Sequence, residues 1–516
     1  MKVIVLLSST DALTEGSRSQ DPSVVAGLDV ANAPVELDLG FAPVAIPQPL
    51  SGIGAALAFS TDSAASTYAV RGEIPDGTEA FEALSARSDV VGVFADAQIE
   101  SSLICPGSPP FGSHTDVAQL LDVSALAAAG MDGRNVPVAI VDTGINVAHL
   151  QGKGRSQGVD TRRSYTPSGV ATQPGAHVVG HGTMCAYDVG IAAPAATLLD
   201  HAVLLSQRSG PTVMSGFLSD AIASYGQMLM MMLNADDPMD RLVVSNSWGM
   251  FDPAWDFPVG HPGNYSDNSQ HPFNLVVASL EALGADILFA AGNCGRDCPD
   301  GRCNFGPAPS IGGANSHPSV LSVAGVDTSR TRVGYSSQGP GRLSAQKPDI
   351  CGYTHFLGSE AFGPGSSDSG TSAACPVAAG VVAAVRSLHS SASLSPQQLR
   401  ALIQKTAVDL GGVGFDNDHG WGVVDPTALL AALPQGTVVV PPPFPGRLLR
   451  YPPYTQGTDV QTWQRQMVTR GYGIKIDGIY GPESKQACTS FQGSAGLSVD
   501  GIVGPLTWEA TWAAPI

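Results

Sequence analysis

The chain has 516 residues, more than one hydrophobic core organises, since single cores stop growing near ~250–300 residues; two or three folded units are expected. Hydrophobic residues make up 43% and charged residues 14%, with 60 Gly and 39 Pro, which describes compact, loop-rich domains and excludes a disordered chain. A formal net charge of −19 repels phosphate backbones, so nucleic acid is not an expected partner, and no apolar run reaches the ~18–20 residues of a membrane span.

The start, MKVIVLLSSTDALTEG, has an apolar run from Val3 to Leu7 that is shorter than the ~7–15-residue core of a secretory signal and reads as a strand. Residues 1–105 read as a small α+β unit, with strands over Thr67–Ile74 and Val90–Ile99 and a helix over Gly77–Arg87. A Gly/Pro-rich break, CPGSPPFG, follows at 105–112. From Val136 to about Ala432 apolar strands alternate with helical stretches, clearest in VPVAIVDTG, RLVVSNSWG, ADILFAAGN and PSVLSVAGV. That alternation predicts an α/β fold, a mostly parallel sheet with helices on both faces. The Pro-rich stretch 434–457 predicts an extended spacer. Beyond it IDGIYGPES at 476–484 is echoed by VDGIVGPLT at 499–507, which predicts a small duplicated helical module. The expected units are 1–105, 106–433 and 458–516, joined across 434–457.

Three segments carry residues that do chemistry. The strand Val138–Val141 delivers Asp142, and in open parallel sheets sites assemble at the carboxyl ends of strands; a buried structural Asp is the competing reading. Gly180-His181-Gly182-Thr183 opens a helical stretch, its glycines permitting close approach of other chain segments to an imidazole that is otherwise structural. Ser369-Gly370-Thr371-Ser372-Ala373-Ala374-Cys375-Pro376 leads into an Ala/Val-rich helix, with Pro in its first turn and Ser372 at or just before its N-terminus. There backbone N–H groups favour a developing oxyanion, although for this segment taken alone a helix cap is the better account of the Ser.

In this order, Val138–Gly144, Gly180–Ala186 and Gly370–Gly380 resemble the three signature segments of the subtilisin-like serine protease family. The resemblance implies a catalytic triad of Asp142, His181 and Ser372. It also makes Ala290-Ala291-Gly292-Asn293 an oxyanion-hole segment, with Asn293 as donor and Gly292 beside the substrate. Ser245–Gly249 resembles the edge strand that pairs with an extended peptide, assigning Ser247, Trp248 and Gly249 to substrate binding. No metal or organic cofactor enters such chemistry; structural calcium is frequent in the family, with ligands that one sequence does not identify.

Eight cysteines are present, three of them in NCGRDCPDGRCN at 293–304, where disulfides are expected and a metal cluster lacks nearby His. Cys185 and Cys375 read as buried packing thiols. Asp252, Asp297 and Asp300 resemble the acidic surroundings of proprotein convertases, which choose basic residues. The N-terminal unit resembles the family's inhibitory propeptide, with Val90–Ile99 and Glu100–Ser102 as the tail in the cleft and self-cleavage between about Ile99 and Gly112. Residues 458–513 resemble a peptidoglycan-binding module, with Phe491 and Trp508 in its core. The expected protein is a self-inhibited serine endopeptidase acting on peptides and proteins, its partners its own propeptide and peptidoglycan, its place extracellular or in the cell envelope, with a cytoplasmic location left open by the missing signal. A catalytically silent wall-binding protein is the alternative; a glycan hydrolase would need paired carboxylates on a dedicated domain, and none is found.

Overall fold

Segments such as Pro137–Val141 (PVAIV) and Ala285–Ala290 (ADILFA) carry apolar residues without alternation, as strands covered on both faces must. In the computed structural model, which describes all residues except 29–33, 48–66, 76, 102–108, 210–212, 235–238, 306–308, 435–441, 443 and 514–516, they lie in one six-stranded sheet. Its order is Ile350–Tyr353, Leu321–Val326, Ala285–Ala290, Leu242–Asn246, Pro137–Val141, Thr197–His201, and every neighbouring pair is parallel. Val138 and Ile140 pack with Met184, Ala373 and Val377 from helices His181–Ala192 and Thr371–Arg386. Ala139 and Val141 point the other way, against Leu218, Tyr225 and Phe273 from helices Leu218–Leu233 and Pro272–Ala282. The expected α/β fold is present. Because all six strands run the same way, Asp142, Ser247 and Ala291–Asn293 leave the sheet at one edge.

The N-terminal unit is an antiparallel sheet in which Lys2–Ser8 lies between Thr67–Glu73 and Val90–Ala95. One face, with Ile4, Leu6 and Ala69, packs into the same core as Leu218 and Tyr225. Arg71 spans the junction, bonded to Asp38 and, at 2.8 Å, to Asp220. The single strand expected over Val90–Ile99 is two: it breaks at Asp96, whose carboxylate accepts the Ser219 N–H and Oγ, both at 2.8 Å. This anchor turns the chain out of its own sheet and into a second one as Gln98–Ser101.

Burial, reinforced by the charge of Asp220 and only partly offset by the Ser219 bonds and Arg71, raises the Asp96 carboxyl to about 7 from an ordinary 3.8. A raised carboxyl pKa means the docked state holds the extra proton. The stability it contributes is complete below about pH 3.8 and is lost as pH rises through about 7, on the order of 2–4 kcal/mol. Asp200 and Asp368, raised to about 7 and about 6 by burial, act in the same direction. Asp96→Asn is therefore expected to flatten the fall in melting temperature between pH 4 and 7 relative to wild type; parallel curves would refute the assignment.

The C-terminal module explains its repeat. Gln464 Oε1 accepts Gly478 N at 2.8 Å while its amide donates to Asp477, the Ile479 carbonyl and Ser484; Gln492 does the same with Gly501 N, Asp500, the Ile502 carbonyl and Thr507. Each Asp-Gly turn is thus pinned by one buried glutamine, and both aspartates are structural. Phe491 and Trp508 are in the core, as expected. The second half of the expected spacer belongs to this module: Leu449 is fully buried and bridges Val503, and Thr455–Gln456 pairs with Ile479–Tyr480. Its prolines flank a turn whose apolar and β-pairing residues the Pro count concealed. Among the described residues no helix is long and apolar enough to cross a membrane.

Candidate active site

Asp142 ends its strand fully buried, and His181 begins its helix at 5% exposure. His181 Nδ1 lies 2.8 and 3.0 Å from the two Asp142 oxygens, and Oδ1 also accepts Thr143 N at 2.7 Å. A carboxylate there fixes the proton on Nδ1 and leaves Nε2 as the acceptor. Nε2 is buried without a hydrogen-bond partner. The two segments are clamped by Gly182 N, which donates to Thr143 Oγ1 at 2.9 Å; a Cβ on Gly182 would stand 2.6 Å from the Gly144 carbonyl oxygen, so glycine is required.

Ser372 is the second residue of helix Thr371–Arg386, which starts early enough to put Pro376 in the second turn rather than the first. Proline has no N–H, so the Ser372 carbonyl lacks its helical donor. Ser247 Oγ supplies one at 3.0 Å and Cys185 Sγ another at 3.5 Å. The Ser372 hydroxyl is bonded to the Ser247 carbonyl, 3.3 Å away, and not to His181. All three expected triad members nevertheless meet around one atom: Cys185 Sγ is 3.8 Å from Asp142 Oδ2, 3.9 Å from His181 Nδ1 and 3.5 Å from the Ser372 carbonyl. Burial, then the charge of Asp142, pushes the Cys185 thiol far up, and burial holds Cys375 at about 12; both are neutral, inert packing groups.

Asn293 Oδ1 accepts Thr371 N at 2.9 Å and Thr371 Oγ1 at 3.0 Å. A backbone N–H only donates, so this atom is oxygen, and the orientation of the carboxamide is fixed with its NH2 group turned away from Thr371. Gly292, at φ +100°, donates its N–H to the same Thr371 hydroxyl. The Asn293 segment and the N-terminus of the Ser372 helix are therefore one rigid unit.

Trp248–Gly249 pairs antiparallel with Gln98–Ser101, Trp248 opposite Ser101 and Gly249 opposite Glu100. Val213–Phe217 pairs with the other edge of that strand. The N-terminal unit thus runs an extended segment through a groove between two strands; Ser102, also expected in this tail, lies outside the described residues, as does most of the expected cleavage region. Sequence reasoning missed the second wall, whose one signal is Gly216: a Cβ there would sit 2.4 Å from the Val203 carbonyl oxygen. Trp248 lines the groove through its backbone; its indole packs on Phe273 and Phe289 with ring centroids 5.6 and 5.2 Å away.

Among the described residues the three expected pocket acids are each already engaged: Asp297 pairs with Arg332 from a separate segment, Asp300 with Arg302 of its own loop, and Asp252 caps Ala254 N. Cys294 and Cys303 form a disulfide, and Cys298 is also disulfide-bonded. Among the described residues, three side chains of metal-binding type converge only at Asp142, His181 and Cys185, whereas calcium takes roughly six to eight oxygens; no calcium ligands are assigned.

Comparison with known proteins agrees with this architecture. The subtilase family model matches residues 133–422, and that of a putative peptidoglycan binding domain matches 456–510. Subtilisin DY of Bacillus licheniformis is 27% identical over 310 residues, covering 59% of this chain and 94% of that protein. Serine protease AprX of Bacillus subtilis (strain 168) is 27% identical over 333 residues, covering 57% and 66%. Furin of Rattus norvegicus is 24% identical over 350 residues, covering 62% and 40%. With more than half of its length matched by that family model, the chain belongs to the subtilase family of serine proteases and carries a peptidoglycan-binding domain.

Proposed function

We propose that the chain is a serine endopeptidase that hydrolyses peptide bonds through an acyl-enzyme, is made as a self-inhibited precursor, and is held at bacterial peptidoglycan outside the cell. The observation that carries the reading is the Asp142–His181 pair at 2.8 Å with its Nε2 left without a partner, the Cys185 sulfur touching both this pair and the Ser372 carbonyl. In the active arrangement the Ser372 hydroxyl gives up its 3.3 Å bond to Ser247 and turns to that nitrogen. Ser372 Oγ then attacks the scissile carbonyl, His181 takes the proton and returns it to the leaving amine, and Asp142 stabilises the charged imidazole. The Asn293 amide and the Ser372 N–H receive the oxyanion, where each such donor is worth ~3–4 kcal/mol.

The strand Gln98–Ser101 supports the precursor reading, because it fills the groove in which an extended substrate would pair with Trp248–Gly249. The C-terminal module supports tethering, which raises local substrate concentration without new contacts at the active site. The silent wall-binding alternative leaves the convergence of aspartate, histidine, serine and the fixed Asn293 amide without a purpose. A fluorophosphonate reagent is expected to label the purified protein at Ser372, located by mass spectrometry, in step with cleavage of an unfolded protein substrate. Absence of both would leave only the wall-binding reading.

A further inference from the structure

Glu100 lies in the groove strand with a side chain 5% exposed, and a strongly bonded cation meets it there. One carboxylate oxygen accepts Arg302 Nη1 and the other the Gln98 amide. Arg302 Nη2 also donates to the Ser101 carbonyl at 2.7 Å, so one guanidinium reads a side chain and the next backbone carbonyl of an extended strand. Arg302 is held in place from behind. Its Nε and Nη2 bond to the fully buried Asp300 carboxylate at 3.1 and 2.7 Å, and its guanidinium lies 4.9 Å from the Phe251 ring centre. The loop that carries it is closed by the Cys294–Cys303 disulfide and tied to the oxyanion segment by Asp300 N, 2.8 Å from the Asn293 carbonyl.

We propose that Arg302 is a specificity-determining residue that selects an acidic side chain at the third residue before the scissile bond of protein substrates. The position follows from register. Glu100 faces Gly249 and Ser101 faces Trp248, so a substrate strand paired in the same way brings its next residue level with Ser247, whose carbonyl is 3.3 Å from Ser372 Oγ. That residue supplies the acyl group, two places after the acid. The inference rests on the endopeptidase reading above and adds to it a preference that the family resemblance does not carry; it is opposite in sign to the acid-lined pocket expected from the sequence.

Selection here is by contact, not by long-range attraction, since the net charge of −19 opposes an acidic peptide at a distance. A glutamate adds a second carboxylate to the Asp300-bound guanidinium, a glutamine gives up that charge-assisted bond, and a lysine places like charges together. Hydrogen bonds to charged groups correspond to about 10- to 100-fold in an equilibrium or rate ratio.

The test uses protein expressed as the full chain and freed of its N-terminal unit, and matched peptides that differ only in Glu, Gln or Lys at the third residue before the cut, with Ser372 labelling run in parallel. The expected ratio of kcat/KM for Glu over Gln is about 10-fold or more, with Lys slower still. In Arg302→Gln that ratio falls to about one, and Arg302→Lys restores part of it, a pattern that a general loss of folding does not produce because it lowers all three peptides together. A labelled enzyme that cuts the Glu, Gln and Lys peptides equally overturns the subsite and leaves the protease standing. A chain that neither labels nor cuts overturns both.

Discussion

Ser372→Ala is expected to lower kcat on peptide substrates by roughly 10⁶-fold while leaving the fold in place. The two halves of that statement have different causes. The hydroxyl makes one long bond, 3.3 Å to the Ser247 carbonyl, so its removal costs less than about 1 kcal/mol of stability. What is expected to be lost chemically is the atom proposed to carry the acyl group. Ser372 lies at the start of a helix locked to Asn293 through Thr371, and the neighbouring Thr371 hydroxyl on that unit is spent on Asn293 Oδ1. Cys185 does not substitute, because its thiol is buried and strongly protonated on the Asp142 side of the ring. The same variant tests the precursor reading: wild-type protein is expected to lose its N-terminal unit and Ser372→Ala to keep Met1, as read by N-terminal sequencing. Equal processing in both removes self-cleavage from the account, and turnover within tenfold of wild type removes Ser372 as the nucleophile.

The parts of this site that were legible in the sequence are those fixed by local chain geometry. Asp142 follows an uninterrupted apolar strand, His181 is followed by Gly182, where a close approach demands glycine, and Ser372 lies in the first turn of a helix, so each could be placed without knowing its neighbours. The unread parts depend on contacts between distant segments. The break at Asp96 arises from a bond to Ser219, far along the chain, and no local signal distinguishes it from the middle of a strand. The second wall of the groove, Val213–Phe217, has no pattern of its own because its partner is the tail strand. The acidic loop misled for a related reason: Asp297 and Asp300 count as negative charge in sequence, but Arg332 and Arg302 reach them in space, and the groove receives a cation.

Asp142→Asn is expected to lower kcat by roughly 10⁴-fold near neutral pH with the geometry almost unchanged, and the reason lies in which atoms donate. Thr143 N–H points at Oδ1 from 2.7 Å, and an amide N–H can only donate, so an asparagine must keep its oxygen at that place. Its NH2 group then falls at the Oδ2 position, 3.0 Å from His181 Nδ1. The imidazole N–H then faces a donor at one of its two contacts and keeps only the shared Oδ1, 2.8 Å away, as acceptor. The tautomer with its proton on Nε2, the nitrogen that must accept the proton of Ser372, gains weight relative to wild type, and the negative charge that would stabilise the imidazolium is gone as well. Fluorophosphonate labelling of Ser372 is expected to slow in parallel, because it needs the same proton transfer, while peptide KM stays close to wild type since Asp142 is shielded from the groove behind His181. An Asp142→Asn enzyme within tenfold of wild type in both kcat and labelling rate would mean that His181 does not depend on this carboxylate for its tautomer, and the catalytic assignment of the pair would fall.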